Sequence, residues 1–149
     1  IINNKTTHNE DVEGNLIQNL SIENDIFDHT NHNINSTGID IEKRSSLPED
    51  IFDITSLKLR KKLFSINEVT YSLTRSDPLM TLVGIFSAKE SIKKAVFFRQ
   101  KIKYSDIEIN YFLNGKPFPL INKIYYPNLQ ISISHCGDMA ISNCIFFKS

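Results

Sequence analysis

The stretch GIFSAKESIKKA, residues 84–95, lies past the middle of this 149-residue chain and belongs to its longest predicted helix. Asp77 and Pro78 precede it. Asp is a good helix N-cap, and Pro suits the first helical turn. The pattern predicts a helix that runs to about Arg99. Apolar residues at helical spacing should form its buried face: Leu79, Leu82, Val83, Phe86, Ala95, Val96 and Phe97.

Charged residues interrupt the apolar character of this helix, among them Lys89, Glu90 and Lys94. Glu90 and Lys94 are four residues apart and are therefore neighbours on a helix surface. One interpretation is an ordinary surface ion pair, which contributes about 0.2–0.5 kcal/mol. On spacing alone this is the favoured interpretation.

A second interpretation comes from Asp40 and Glu42, which lie in the alternating stretch TGIDIE, residues 37–42. Alternation of this kind predicts a half-buried strand, on which residues two apart point to the same face. If this face meets Glu90, three carboxylates converge and repel one another unless a cation joins them. Oxygen ligands without His or Cys suit Mg²⁺, and Lys89 and Lys94 would then meet phosphate oxygens.

Further local patterns extend the prediction to the rest of the chain. Residues 49–64 are weakly helical, and Ser65 with Glu68 forms a capping box at the start of another helix. Strands are predicted in DIEINYFL (106–113), which precedes the hairpin turn NGKP (114–117), in QISISH (130–135) and in AISNCIFF (140–147). One strand, three helical pieces and three strands describe an α+β domain with helices packed on an antiparallel sheet.

Charge and composition divide the chain into two parts. Residues 1–53 carry a net charge of −8 and residues 54–149 a net charge of +8. The basic part could attract a phosphorylated small molecule or an acidic protein surface, although solvated helix faces account for most such asymmetries. We expect residues 1–35 to be an Asn-rich extension and residues 36–149 to be the functional domain.

The two cysteines, Cys136 and Cys144, lack the spacing of a metal site. We read both as reduced thiols and expect a cytoplasmic protein. No apolar run approaches the roughly 18 residues that a membrane span needs, and neither membrane nor nucleic acid is an expected partner. The chain begins with Ile, which leaves open a trimmed N terminus or a domain cut from a longer polypeptide.

Taken together, these motifs resemble the 4′-phosphopantetheinyl transferases. That family's signature is Gly-Ile/Val-Asp, a gap of about the length seen here, and an aromatic residue followed by x-x-Lys-Glu-x-x-x-Lys. The matching stretches are GIDIE (38–42), FSAKESIKKA (86–95) after a gap of 43 residues, DIEI to NGKP (106–117) and SISH (132–135). The resemblance covers residues 37 to about 147. It implies a single copy of the family's fold, with the motif order of the short holo-acyl-carrier-protein synthases.

The resemblance also assigns roles at the acidic site. It implies that Asp40 and Glu90 bind Mg²⁺, with Glu42 as a third ligand, and that Lys94 contacts coenzyme A phosphates beside Lys89. Asp40, Glu90 and Lys94 are then the catalytic residues, with Glu90 the first candidate for the base. The implied reaction moves the phosphopantetheine arm of coenzyme A onto a serine of an apo acyl or peptidyl carrier protein.

A second group of residues is implied to bind the nucleotide of coenzyme A: Gly115, Lys116, Pro117, Ser134 and His135. In the short family this site lies between subunits of a trimer, so a homotrimer is an expected assembly. The basic stretch KLRKK (58–62) and Arg75 could receive an acidic carrier protein of fatty acid or polyketide synthesis. The alternative is a non-catalytic module of a larger synthase that binds coenzyme A or docks a carrier protein.

Overall fold

The computed structural model describes residues 34–96 and 101–148. The described elements are β1 (Ile34–Lys43), α1 (Leu57–Leu63), α2 (Ile66–Leu73), α3 (Pro78–Val96), β2 (Ile107–Tyr111), β3 (Pro117–Ile121), β4 (Ile124–Tyr125), β5 (Leu129–Cys136) and β6 (Met139–Phe147). They form two three-stranded antiparallel sheets, with strand orders β1-β6-β5 and β2-β3-β4. The α+β class is thereby confirmed. Of the predicted extension, only Ile34 and Asn35 are described, and both belong to β1.

Helix α3 begins as predicted. The Asp77 carboxylate accepts a hydrogen bond from the backbone N–H of Met80 at 3.0 Å, and Pro78 occupies the first turn. Five of the seven predicted core positions are buried and Phe86 is half-buried, whereas Phe97 and the predicted end at Arg99 lie outside the described residues. No helix in the described ranges is long and apolar enough to cross a membrane.

The first sheet packs against α3 through β1, β6 and β5. The predicted alternation of β1 is confirmed, and its isoleucines lie on the outer face: Ile39 is 60% exposed and Ile41 55%. Asp40, by contrast, is buried toward α3. The side of the strand that carries its carboxylates therefore faces the charged helix.

Gly38 allows this close approach. A Cβ atom at Gly38 would lie 1.9 Å from the backbone oxygen of Ser91 and 2.8 Å from the backbone nitrogen of Ala95. Two residues further along β1, the backbone oxygen of Asp40 accepts a hydrogen bond from the Ser87 hydroxyl at 3.1 Å. The glycine of the GIDIE motif thus brings the backbone of β1 against α3.

The second sheet corrects the predicted strand count, because five strands follow the helices in residues 101–148 rather than three. β3 went unpredicted since it contains Pro117 and Pro119, which lack the N–H that a ladder needs. Both residues pair with β2, while β4 pairs only with Leu120 and Ile121. On the side of β3 opposite to β2, the segment that contains the two prolines is not paired with β4. Their missing N–H groups therefore leave no hydrogen bond to β4 unmade.

Candidate active site

Asp40 and Lys94 form an ion pair across the interface between β1 and α3. Lys94 Nζ lies 2.7 Å from Asp40 Oδ1 and 3.0 Å from the backbone oxygen of Ile39. The hydrogen bond to Asp40 raises the pKa of Lys94. The predicted partner of Lys94 on its own helix, Glu90, is thus not its closest carboxylate.

The second carboxylate oxygen of Asp40, Oδ2, lacks the hydrogen-bond partner that buried polar atoms usually have. Oδ2 is buried and accepts no hydrogen bond in the structure. Most buried polar atoms in proteins have a partner, so an unpartnered carboxylate oxygen is a position where a cation would be stabilised.

Glu90 lies one turn before Lys94 and is contacted by two side chains. The Tyr104 hydroxyl donates a hydrogen bond to Glu90 Oε1, and Lys93 Nζ lies 3.6 Å from the same oxygen. Tyr104 was not identified from the sequence, because a tyrosine that follows the helix carries no local signal that it folds back onto Glu90.

The pKa of the Tyr104 hydroxyl responds to the three acidic residues. Burial raises its pKa most, and the hydrogen bond to Glu90 adds to this shift. The negative charges of Glu90, Glu42 and Asp40 act in the same direction. Tyr104 therefore lies in the electrostatic field of all three acids and is hydrogen-bonded to Glu90.

Glu42 has a different contact from the other two acids. It accepts a hydrogen bond from the Ser46 hydroxyl, just beyond the end of β1. In the part of the chain that the structure describes, no three His, Cys, Asp or Glu side chains are arranged to hold a metal ion. The predicted set of three carboxylates is therefore not assembled here. Asp40 and Glu90 still suit Mg²⁺, which usually takes one or two protein carboxylates and completes its shell with water and phosphate.

The structure corrects the prediction that Lys89 contacts phosphate. Its side chain is completely buried, and Nζ lies 2.7 Å from Glu68 Oε2, 2.7 Å from the backbone oxygen of Leu63 and 3.3 Å from that of Tyr104. These contacts use all three ammonium donors. Burial lowers the pKa of Lys89 and raises that of Glu68, while the attraction between them opposes both shifts.

A cavity of about 550 Å³ contains three of the predicted nucleotide-binding residues: Gly115, Pro117 and His135. Two unpredicted tyrosines, Tyr71 and Tyr111, also line it, and their rings stack with centroids 4.2 Å apart. Arg75 adds a cation, 5.7 Å from the centre of the Tyr71 ring. A cavity with aromatic walls and a guanidinium group suits a phosphorylated nucleotide.

His135 is held against the first part of α3. Its Nε2 lies 3.1 Å from the backbone oxygen of Met80, and a Cβ at Gly84 would come within 2.5 Å of the same nitrogen. Ser134 is exposed and, as the neighbour of His135 on β5, points to the opposite face of the sheet. Neither Ser134 nor the exposed Lys116 lines the cavity, so the structure does not bring these two predicted residues to it.

The cavity and the acidic residues lie at different positions along the axis of α3. Met80 lines the cavity, and Glu90 follows ten residues later on the same helix. At 1.5 Å per residue, this places them about 15 Å apart along the helix axis.

Comparison with known proteins explains why these residues occur together. A family model described as the 4′-phosphopantetheinyl transferase superfamily matches residues 36–144. The chain belongs to this superfamily. This confirms the resemblance seen in the motifs, and with it the expected class of enzyme.

Two curated relatives and one solved structure illustrate the match. The chain is 39% identical over 92 residues to the holo-[acyl-carrier-protein] synthase of Protochlamydia amoebophila, covering 57% of this chain and 75% of the relative. It is 34% identical over 116 residues to the holo-[acyl-carrier-protein] synthase of Nautilia profundicola, covering 74% of this chain and 98% of the relative. A holo-(acyl-carrier-protein) synthase from Bacillus anthracis, solved in complex with CoA (3′,5′-ADP), aligns with a TM-score of 0.61 and 26% identity, covering 78% and 98%.

Proposed function

We propose that this chain transfers the 4′-phosphopantetheine arm of coenzyme A to a serine of an apo acyl or peptidyl carrier protein and releases 3′,5′-ADP. The observation that carries the proposal is the pairing of Asp40 on β1 with Lys94 on α3, one turn from Glu90. The names of the relatives and the coenzyme A bound to the Bacillus anthracis enzyme support it.

Asp40 and Glu90 are the residues that would hold Mg²⁺, since Asp40 Oδ2 is buried and unpartnered. When bound, the ion offsets negative charge on the pyrophosphate of coenzyme A. Lys94 supplies a second positive charge at the same site. Glu42 remains a proposed further ligand, and the Ser46 hydroxyl contacts only its Oε2.

In the reaction, the serine oxygen of the carrier forms a bond to the phosphorus next to the pantetheine arm. The bond from this phosphorus to the oxygen of 3′,5′-ADP breaks, and the ADP leaves with the electron pair. Glu90 accepts the serine proton, directly or through a water. Catalysis of this kind depends mainly on positioning and charge neutralisation.

The nucleotide of coenzyme A is proposed to bind in the cavity near His135, Arg75 and Gly115. Because this cavity lies about 15 Å along α3 from Glu90, we propose that each complete site combines the acidic residues of one copy with the cavity of a neighbour. A homotrimer would provide this arrangement. Ile39, Ile41 and Ile141 support it, since they are 60%, 55% and 40% exposed and such apolar surface is typical of interfaces.

The carrier protein is proposed to bind near α1. Lys58, Lys61 and Lys62 are exposed there and could attract an acidic partner, which we place in fatty acid or polyketide synthesis in the cytoplasm. Arg60 is a poorer candidate, because its guanidinium donates to the backbone oxygens of Ile51 and Asp53.

The deciding experiment incubates the chain with coenzyme A, Mg²⁺ and an apo carrier protein. Mass spectrometry of the carrier should show the added phosphopantetheine, and chelation of Mg²⁺ should prevent it. Binding of coenzyme A or carrier without transfer would instead establish the non-catalytic module. No binding of either would reject both.

A further inference from the structure

Tyr104 is held at both ends by consecutive residues of α3. At one end, the Lys89 ammonium donates to the backbone oxygen of Tyr104 at 3.3 Å. At the other, the Tyr104 hydroxyl donates to Glu90 Oε1. The Lys-Glu pair of the motif therefore acts on one tyrosine from two sides.

The backbone contact is anchored in the core. Lys89 is completely buried and paired with Glu68, which also accepts a hydrogen bond from the backbone N–H of Ile109 at 2.7 Å. Tyr104 itself begins the short 3-10 turn Tyr104–Asp106 that leads into β2. The backbone oxygen of Tyr104 is thus bound to Lys89 of α3, and Lys89 is bound through Glu68 to α2 and β2.

The ring of Tyr104 is fixed as well. It packs against Phe86 with centroids 5.5 Å apart, and Lys93 Nζ lies 3.7 Å from its centre. With the backbone and the ring both held, the direction of the hydroxyl is determined. A glutamate side chain that accepts from a fixed donor loses most of its rotamer freedom before any ligand arrives.

We propose that Tyr104 is a positioning residue that fixes the Glu90 carboxylate for cation binding. Its hydroxyl and Lys93 both contact Oε1, which leaves Oε2 for a cation, while Asp40 Oδ2 is likewise without a partner. Hydrogen bonds from outer groups to ligating carboxylates have this orienting effect, and their loss typically lowers metal affinity or activity by about 10–100-fold. The inference rests on the proposed function, because it concerns the same acidic site.

Tyr104→Phe tests the hydroxyl alone, because phenylalanine keeps the ring beside Phe86 and Lys93. Tyr125→Phe is the matched control: it removes a tyrosine hydroxyl from β4, which contributes nothing to the acidic site. Glu90→Gln removes the carboxylate itself. Thermal melting confirms that each variant is folded.

Two measurements are made on the full chain. Mn²⁺ affinity, read from the electron paramagnetic resonance signal of free Mn²⁺, is determined without coenzyme A. Steady-state transfer then separates kcat from the KM for coenzyme A. We expect Tyr104→Phe to weaken Mn²⁺ binding about tenfold and to lower kcat while leaving this KM unchanged. Tyr125→Phe should match the wild type in every value.

Equal Mn²⁺ affinity and equal kcat in Tyr104→Phe and wild type would overturn the proposal, as would tighter Mn²⁺ binding in the variant. An equal loss in Tyr125→Phe would also overturn it, since the effect would then not be specific to Glu90. A wild-type chain that neither binds Mn²⁺ nor transfers the arm would overturn the proposed function itself. The two failures are therefore distinguishable.

Discussion

Lys89 and Glu68 form an ion pair, 2.7 Å from Nζ to Oε2, in which both side chains are completely buried. Glu68 also closes the capping box of α2 by accepting from the backbone N–H of Ser65 at 2.8 Å. Lys89 of the Lys-Glu motif thus pairs with a buried carboxylate, whereas Glu90 beside it belongs to the acidic site.

We predict that Lys89→Met lowers the free energy of unfolding by about 3–5 kcal/mol, because it leaves the Glu68 carboxylate buried without its cation. The double variant Lys89→Met/Glu68→Leu should lose much less than the sum of the two single variants. Urea denaturation measures both. The control Lys61→Met changes an exposed lysine of α1 and should stay within about 0.5 kcal/mol of wild type. A Lys89→Met protein of normal stability but reduced coenzyme A affinity would restore the phosphate-binding role.

Asp40→Asn and Glu90→Gln are each expected to abolish transfer while the chain stays folded. Each removes a proposed metal ligand, and metal-ion catalysis contributes several kcal/mol, so the rate should fall by roughly a thousandfold or more. The carrier mass assay measures this, with thermal melting as the check on folding. Asp53→Asn, which alters an exposed acid outside the site, serves as the control. Near wild-type rates in either site variant at saturating Mg²⁺ would contradict the metal assignment.

His135→Ala should weaken coenzyme A binding about tenfold, because a hydrogen bond to a charged group contributes about 1.5–3 kcal/mol. Isothermal calorimetry measures the affinity directly. Ser132→Ala, an exposed position three residues earlier on β5, should leave it unchanged. An unchanged affinity in His135→Ala would show that the nucleotide does not occupy this cavity.

The cap of α3 predicts a pH-dependent contribution to stability. Asp77→Ala should destabilise the protein by about 1 kcal/mol, whereas Asp77→Asn retains a good capping side chain. The pKa of Asp77 lies below its ordinary value of 3.8, chiefly because of the hydrogen bond from Met80 and secondly because of Arg44.

Since the folded pKa of Asp77 is the lower one, its charge stabilises the protein above pH 3.8 and this contribution is lost as the pH falls through the folded pKa. The stability difference between wild type and Asp77→Asn should therefore shrink toward zero in acid. Urea denaturation at neutral pH and at a series of pH values below 3.8 tests this. A difference that grows on acidification would mean that the sign of the shift is wrong.

Local patterns in the sequence were enough to predict the fold class, the start of α3, the capping box of Ser65 and Glu68, and four of the six strands that residues 34–96 and 101–148 contain. They also identified the superfamily, because its short motifs follow one another along the chain in the expected order. Asp40 and Glu90 could be named as partners only through the family, since the strand and the helix that carry them are far apart in the chain.

The tertiary structure decided what each charged residue contacts. Lys89 is buried because its partner Glu68 arrives from another helix, 21 residues away. β3 exists despite its prolines because its pairing with β2 does not require their missing N–H groups. Tyr104 meets Glu90, 14 residues earlier in the chain, through a contact between elements that no local pattern indicates. Sequence periodicity determines which residues share one face of one element, whereas packing between elements determines which faces meet.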